Sequence, residues 1–293
     1  MATPLPTRWR LRTLALPLPG SDGPLRRPLV MGIVNVTPDS FSDGGRHADA
    51  GAAVDHGLRL VAEGADILDV GGESTRPFSA PVDAAEELRR TATVVDRLVR
   101  EAGVPVSIDT SKAAVARRAL DLGAEIINDV TGLVGDPGML PLAVETGAGV
   151  CAMHMQGTPQ TMQILPRYDD VVAEIHAWLV ARRTALLAAG IDRERICLDP
   201  GIGFGKTHAH NVALVRHAGR FLDIGQPILV GHSRKGFLGK LVEEALGQKA
   251  DEALRDGATA GIACHLAAAG VQVVRVHAVG LVRAALEAFA AAR

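Results

Sequence analysis

Eight short apolar runs, each followed by a helical stretch, dominate this 293-residue chain and restrict what it can fold into. The runs are Leu29–Val34, Ala65–Val70, Val104–Ile108, Glu125–Asn128, Gly149–His154, Arg195–Leu198, Ile228–Val230 and Val271–Val276. Most lack polar alternation, as expected of parallel strands covered on both faces. Helical patterns lie between them at 49–63, 83–102, 111–122, 137–147, 168–189, 208–222, 251–269 and 279–292. Gly64, Gly103, Gly123, Gly147, Gly190 and Gly270 stand where helices should end. Glycine there supplies the left-handed residue that lets the next strand begin at once. Eight βα repeats predict an α/β fold, a closed (β/α)8 TIM barrel, more naturally than an open doubly wound sheet. No linker interrupts the repeats, so a single barrel domain is expected over 29–293, after an N-terminal extension over 1–28. In that extension Trp9 and Leu11 alternate with Arg8, Arg10 and Arg12, the pattern of a short half-buried strand that could cover the closed end of the barrel.

Composition narrows the function. Hydrophobic residues make up 47%, enough for a large core. With 31 Lys plus Arg against 33 Asp plus Glu, the net charge is −2, and no global field exists to hold nucleic acid or an anionic membrane. Aromatic residues, at 3%, are too few for a base-stacking surface. The most apolar later stretch, 258–274, is interrupted by His265 and Gln272, and Pro4, Pro6, Pro17 and Pro19 break any leader-like run. Cys151, Cys197 and Cys264 form neither a disulfide framework nor a zinc motif. A cytoplasmic protein is expected, with no nucleic-acid or membrane partner.

A barrel enzyme should carry its chemistry at the C-terminal ends of the strands. Polar residues stand there in turn: Asn35, Asp69, Asp109, Asn128 and Asp129, His154 and Gln156, Asp199, Ser233 to Lys235, then Arg275 and His277. Asp109, Asn128 and Asp199 suit a flat heterocycle with an amidine-like edge, because one carboxylate accepts two N–H bonds. Lys235, Arg275 and His277, with Arg76 nearby, suit an anion such as phosphate. Ser233 is placed to cap a short helix that would add backbone donors. Simpler roles fit several of these residues. Asp109 could cap the next helix, Asn128 and Asp129 could be turn residues, Arg275 could form a surface ion pair, and His154 reads first as a satisfied buried histidine. The run Gly201-Ile202-Gly203-Phe204-Gly205-Lys206-Thr207 imitates a P-loop, but Pro200 stands where its first glycine belongs. A hard ion such as magnesium, held partly by substrate phosphate and one amide oxygen, stays open.

Taken together, these segments resemble the dihydropteroate synthase family. Asn35 to Gly45 is similar to its first signature and Asp69 to Pro77 to its second. Asp109-Thr110-Ser111-Lys112, Asn128-Asp129-Val130, Met153 to Pro159, Asp199 to Lys206, Ser233-Arg234-Lys235 and Arg275-Val276-His277 follow in order, over about residues 29–292. The resemblance implies a folate-pathway transferase that joins a hydroxymethyl-dihydropterin diphosphate to 4-aminobenzoate, with loss of pyrophosphate. It implies that Asp109, Asn128, Asp199 and Lys235 hold the pterin, with Thr75 near the diphosphate. Arg275 and His277 would hold the diphosphate and Asn35 the Mg2+. Phe41, Asp43, Arg76 and Pro77 would belong to two loops that close over the aminobenzoate, and Phe204 would line the pocket. Catalysis would fall to Asp109, Arg275 and His277, and two copies of the chain would pair as a homodimer.

Three positions depart from the family pattern. Ala278 replaces the usual Asp after the strand-eight His, Gly236 the common Ser after the strand-seven Lys, and Phe78 the usual Gly after Pro77. These changes bear on the aminobenzoate side, where sulfonamides act in this family, and leave the pterin set intact. Two other readings remain at this stage: a pterin-dependent methyltransferase, which has no use for a diphosphate clamp, and a pterin-binding paralogue without catalysis.

Overall fold

The computed structural model describes residues 4–20, 27–36, 46–75 and 79–292. A small antiparallel hairpin, β1 (Arg8–Arg10) and β2 (Ala15–Pro17), comes first. The remaining strands are β3 (Leu29–Asn35), β4 (Ile67–Gly71), β5 (Val106–Asp109), β6 (Ile126–Asp129), β7 (Gly149–Met153), β8 (Ile196–Asp199), β9 (Leu229–Val230) and β10 (Val273–Val276). They pair in parallel in the order β8-β7-β6-β5-β4-β3-β10-β9. The ring closes where Leu198 of β8 bridges Ile228, just before β9, and the Leu198 amide donates to the Pro227 carbonyl at 2.9 Å. The eight parallel strands and their intervening helices make the expected (β/α)8 TIM barrel.

The helices are α1 (Arg46–Ala62), α2 (Ala84–Glu101), α3 (Ala113–Asp121), α4 (Met139–Thr146), α5 (Val171–Ala188), α6 (His208–Arg216), α7 (Gly236–Leu246), α8 (Glu252–Ala268) and α9 (Val279–Ala291). Their starts are chemically marked. Asp83, Asp170 and Asp251 accept from the first free amides of α2, α5 and α8, and Thr207 forms a capping box with His210. The helix expected over 208–222 divides at His217, and Ala218–Ile224 continues as a 3-10 helix. Ala218, Phe221 and Ile224 are buried and three apart, so three residues per turn keep them on one inward face. Among the described residues no helix is long and apolar enough to cross a membrane.

Strand alternation sorts the core into two parts. Leu68, Val70, Ile108, Ile127, Val150, Leu198 and Val274 face the helices and join the large outer core. Met31, Ile67, Ile126, Cys151, Cys197, Leu229 and Val273 face inward and build an apolar floor, on which Trp9, Leu11 and Leu18 pack from below. Trp9 is fully buried, and its indole N–H donates to the Arg195 carbonyl at 3.0 Å. Cys151 and Cys197 are buried register partners on β7 and β8, both as free thiols.

Candidate active site

Two residues beyond the floor, the inward positions become polar. Asp69 follows Ile67, Asn128 follows Ile126, Asp199 follows Cys197 and Arg275 follows Val273. Asp109 ends β5 on the same side, two residues after Ser107. The strand geometry therefore delivers carboxylates, an amide and a guanidinium to one layer at the barrel mouth. Arg275 Nε donates to Asp69 Oδ2 at 2.6 Å, and its Nη2 donates to Asp109 Oδ2 at 2.7 Å. Asn128 Nδ2 donates to the same Asp69 oxygen at 2.9 Å. Neither Asp109 nor Asn128 is a capping or turn residue: the cap position of α3 is Lys112, with no side-chain cap, and Asn128 turns its amide to Asp69. The turn role belongs to Asp129, which accepts from the amides of Thr131 and Leu133 at 2.8 and 3.0 Å. Arg275 is no surface ion pair, since Asp69 is fully buried. Its Nη1 carries no bond to a described residue.

Asp69 was not among the candidate ligands, yet it joins Arg275 and Asn128. The signal was available: an aspartate two residues after an inward isoleucine on a buried strand must find a cation or donors inside the barrel. Its second oxygen is buried without a partner among the described residues.

Electrostatics follow from burial. Desolvation pushes the Asp109 carboxyl up to about 7 against the pull of Arg275, with Asp69 adding repulsion. Burial also raises Asp199, opposed by Lys235 and by the Gly201 amide, which donates to it at 2.7 Å. Burial lowers Lys235 to about 8 against the attraction of Asp199. The same desolvation disfavours charge on Arg275, but Asp69 and Asp109 outweigh it and hold the guanidinium ionised.

Lys235 and Phe204 come together over the loop that resembles a P-loop. The Lys235 ammonium lies 4.5 Å from the Phe204 ring centroid and donates to the Ile202 carbonyl. The next three carbonyls are also taken: Gly203 by Gln163 at 2.8 Å, Phe204 by Lys206 at 2.8 Å and Gly205 by the Tyr168 hydroxyl at 3.0 Å. Gly201, Gly203 and Gly205 all adopt positive φ, and a Cβ on Gly201 would run into the His154 carbonyl. The loop is therefore a rigid wall, and its lysine is buried rather than free to meet a phosphate. His154 is the satisfied buried histidine, with Nδ1 3.1 Å from Lys206 and its ring edge-on to Trp178 at 5.0 Å.

The remaining candidates sit around the rim. Asn35 ends β3 half-buried, on the inward face after Met31 and Ile33. Thr75 is half-buried four residues past the end of β4. His277 follows β10 on the side of Arg275, and its Nδ1 lies 3.0 Å from Ser233 Oγ. Ser233 does not cap α7; that position is Lys235, without a side-chain cap, because the Ser233 hydroxyl is turned to His277. Phe41, Asp43, Arg76 and Pro77, as well as Phe78, lie outside the described residues.

Polar side chains converging on the C-terminal mouth of a closed parallel barrel mark a TIM-barrel enzyme. The sequence profile of the pterin-binding enzymes matches residues 31–277. The dihydropteroate synthase of Escherichia coli (strain K12) is 45% identical over 260 residues, covering 88% of this chain and 89% of the relative. The solved dihydropteroate synthase of Xanthomonas albilineans with 4-aminobenzoic acid is 47% identical, covers 91% of this chain and 93% of its own, and superposes with a TM-score of 0.84. The same enzyme in complex with 7,8-dihydropteroate matches at 44% identity, 93% and 96% coverage and a TM-score of 0.81. The chain belongs to the dihydropteroate synthase family, whose members are transferases.

Proposed function

We propose that this chain joins (7,8-dihydropterin-6-yl)methyl diphosphate to 4-aminobenzoate, releasing 7,8-dihydropteroate and diphosphate for tetrahydrofolate biosynthesis. The reading rests on the inward row Asp109, Asn128, Asp199 and Lys235, on a chain whose solved relatives carry 4-aminobenzoate and dihydropteroate. Asp109 and Asp199 are acceptors for the N–H groups of a pterin ring, and Asn128 both donates and accepts. Lys235 is a donor for a ring carbonyl. Beside them, Thr75, Arg275 and His277 take the diphosphate, while Phe204 lines the pocket. Phe41, Asp43, Arg76 and Pro77 complete the aminobenzoate side in this reading.

An arylamine is a weak nucleophile, so the barrier falls most when the other partner ionises. The C–O bond to the diphosphate breaks first, leaving a pterin-methyl cation whose charge the Asp109 carboxylate stabilises. The amine nitrogen of 4-aminobenzoate then bonds to the methylene carbon and releases its proton to solvent. Arg275 and His277 stabilise the negative charge growing on the departing oxygen. Among the described residues no group of three carboxylates, histidines or cysteines could cage a metal ion. The donor set fits a hard ion that takes Asn35 as one ligand and substrate oxygens as others. Mg2+ held in this way would neutralise leaving-group charge.

Pyrophosphate release with Mg2+, the dihydropterin diphosphate and 4-aminobenzoate, each omitted in turn, tests the proposal. Release that needs all three, with dihydropteroate formed in step, is the expected result. Tight pterin binding without release would favour the non-catalytic paralogue instead. The relatives at 44–47% identity speak against the methyltransferase. Pairing of two copies belongs to the same reading and is tested by sedimentation equilibrium.

A further inference from the structure

The short segment after β9 contains three polar residues that the chemistry above does not use, and all three are tied down. His232 is fully buried, with Nε2 3.0 Å from the Thr259 carbonyl in α8. Arg234 holds a left-handed backbone, φ 57°, which costs a non-glycine residue energy and persists only when the surroundings impose it. The surroundings do so. Its amide donates to Thr259 Oγ1 at 3.3 Å, and its guanidinium forms a two-pronged pair with Asp256 at 2.7 and 2.8 Å. Ser233, between these two anchors, is itself buried.

The Ser233 hydroxyl faces one neighbour with two polar atoms. It accepts the backbone N–H of His277 at 3.2 Å and lies 3.0 Å from His277 Nδ1. With the amide bond accepted, the hydroxyl still has its own proton to place, and Nδ1 is the acceptor beside it. Donation to Nδ1 leaves the imidazole proton on Nε2. The residue directly after this histidine is Ala278, which offers no side-chain partner of its own.

We propose that Ser233, clamped through its neighbours to Thr259 and Asp256 of α8, is the positioning residue for His277, holding it as an Nε2–H donor toward the diphosphate. Ser233 acts through His277 and does not itself touch the diphosphate. The inference rests on the reading of His277 as a diphosphate ligand.

Calorimetric titration with inorganic pyrophosphate in Mg2+ buffer, set beside titration with 6-hydroxymethylpterin, tests it. S233A should weaken pyrophosphate binding about tenfold, the usual size of a lost outer partner, and leave the pterin within about twofold. A fall in the folded fraction would change the number of sites in both titrations, not one affinity alone. S233T, which keeps the hydroxyl, should restore pyrophosphate binding. The 15N spectrum of His277 should show protonated Nε2 in the parent protein and a mixture of tautomers in S233A. Unchanged pyrophosphate affinity or an unchanged tautomer in S233A, with loss in H277A, would overturn the proposal alone. Undiminished pyrophosphate binding in H277A would remove the diphosphate reading of His277, and this proposal with it.

Discussion

Asp109 and Lys235 are opposite cases of one effect. Burial drives the acid up to about 7 and the base down to about 8, so both sit near their working range. The Asp109 carboxylate forms as pH rises through the first value, and the Lys235 ammonium is lost as pH rises through the second. The kcat/KM for the pterin substrate should therefore be bell-shaped, with limbs that belong to the coupled cluster. D109N should abolish the acid limb and K235M the alkaline one, read from initial rates between about pH 5 and 10, about two units beyond each limb. If Asp109 stabilises the cation as well as holding the ring, D109N should lower kcat about a hundredfold and calorimetric pterin affinity by much less. Equal losses in both would contradict that role. Asp69 carries a structural load beside these two. D69A strips an acceptor from both Arg275 and Asn128, and breaking such a buried pair costs about 3–5 kcal/mol, measurable by urea unfolding.

At the scale of elements, the β1–β2 hairpin and the start of α7 make separable predictions. Trp9 contributes a fully buried ring to the barrel floor, far along the strands from the mouth. W9A should cost about 3–5 kcal/mol of stability and leave kcat intact in the cold, where the protein stays folded. Gly236 opens α7, and a Cβ there meets nothing within 4 Å. G236S therefore fits, and its hydroxyl at a helix start should lower the KM for 4-aminobenzoate about tenfold, the worth of one hydrogen bond to a carboxylate. Most elements were legible in the chain because each combined an apolar run with a terminal glycine. Gly64, Gly103, Gly123, Gly147, Gly190 and Gly270 all have positive φ. The division of α6 was not legible, since Ala218, Phe221 and Ile224 also fit a helical period. The gathering of Asp109, Asn128, Asp199 and Arg275 could be read from strand ends alone. Asp69 also stands at a strand end, but its partners Arg275 and Asn128 were not legible, because pairing across strands depends on register, which one strand's sequence does not reveal. The orientation of Ser233 escaped for a similar reason: α8 sets it from a distance of more than twenty residues.

For the whole molecule, the barrel is an uneven ring. β3 and β4 share five register pairs, whereas the closing seam between β8 and β9 is a single bridge, Leu198 to Ile228, with the Leu198 amide on the Pro227 carbonyl. Opening there breaks the fewest ladder bonds, so the Leu198 amide, which donates to Pro227, should exchange with solvent deuterium faster than the amides of Val36 and Asp66, which donate to Gly71 and Val30 across β3 and β4. Equal protection around the ring would mean that the outer helices, not the ladder, govern opening.

The floor beneath the site has a practical consequence. Cys151 and Cys197 lie side by side in the floor that Trp9 covers from below, so a colourless, water-soluble thiol reagent can reach them only after the hairpin lifts or the barrel comes apart. The chain thus carries its own stopwatch: the rate at which these two sulfurs take up label, with Cys264 marking the more accessible background, times the lifting of the hairpin or the opening of the barrel.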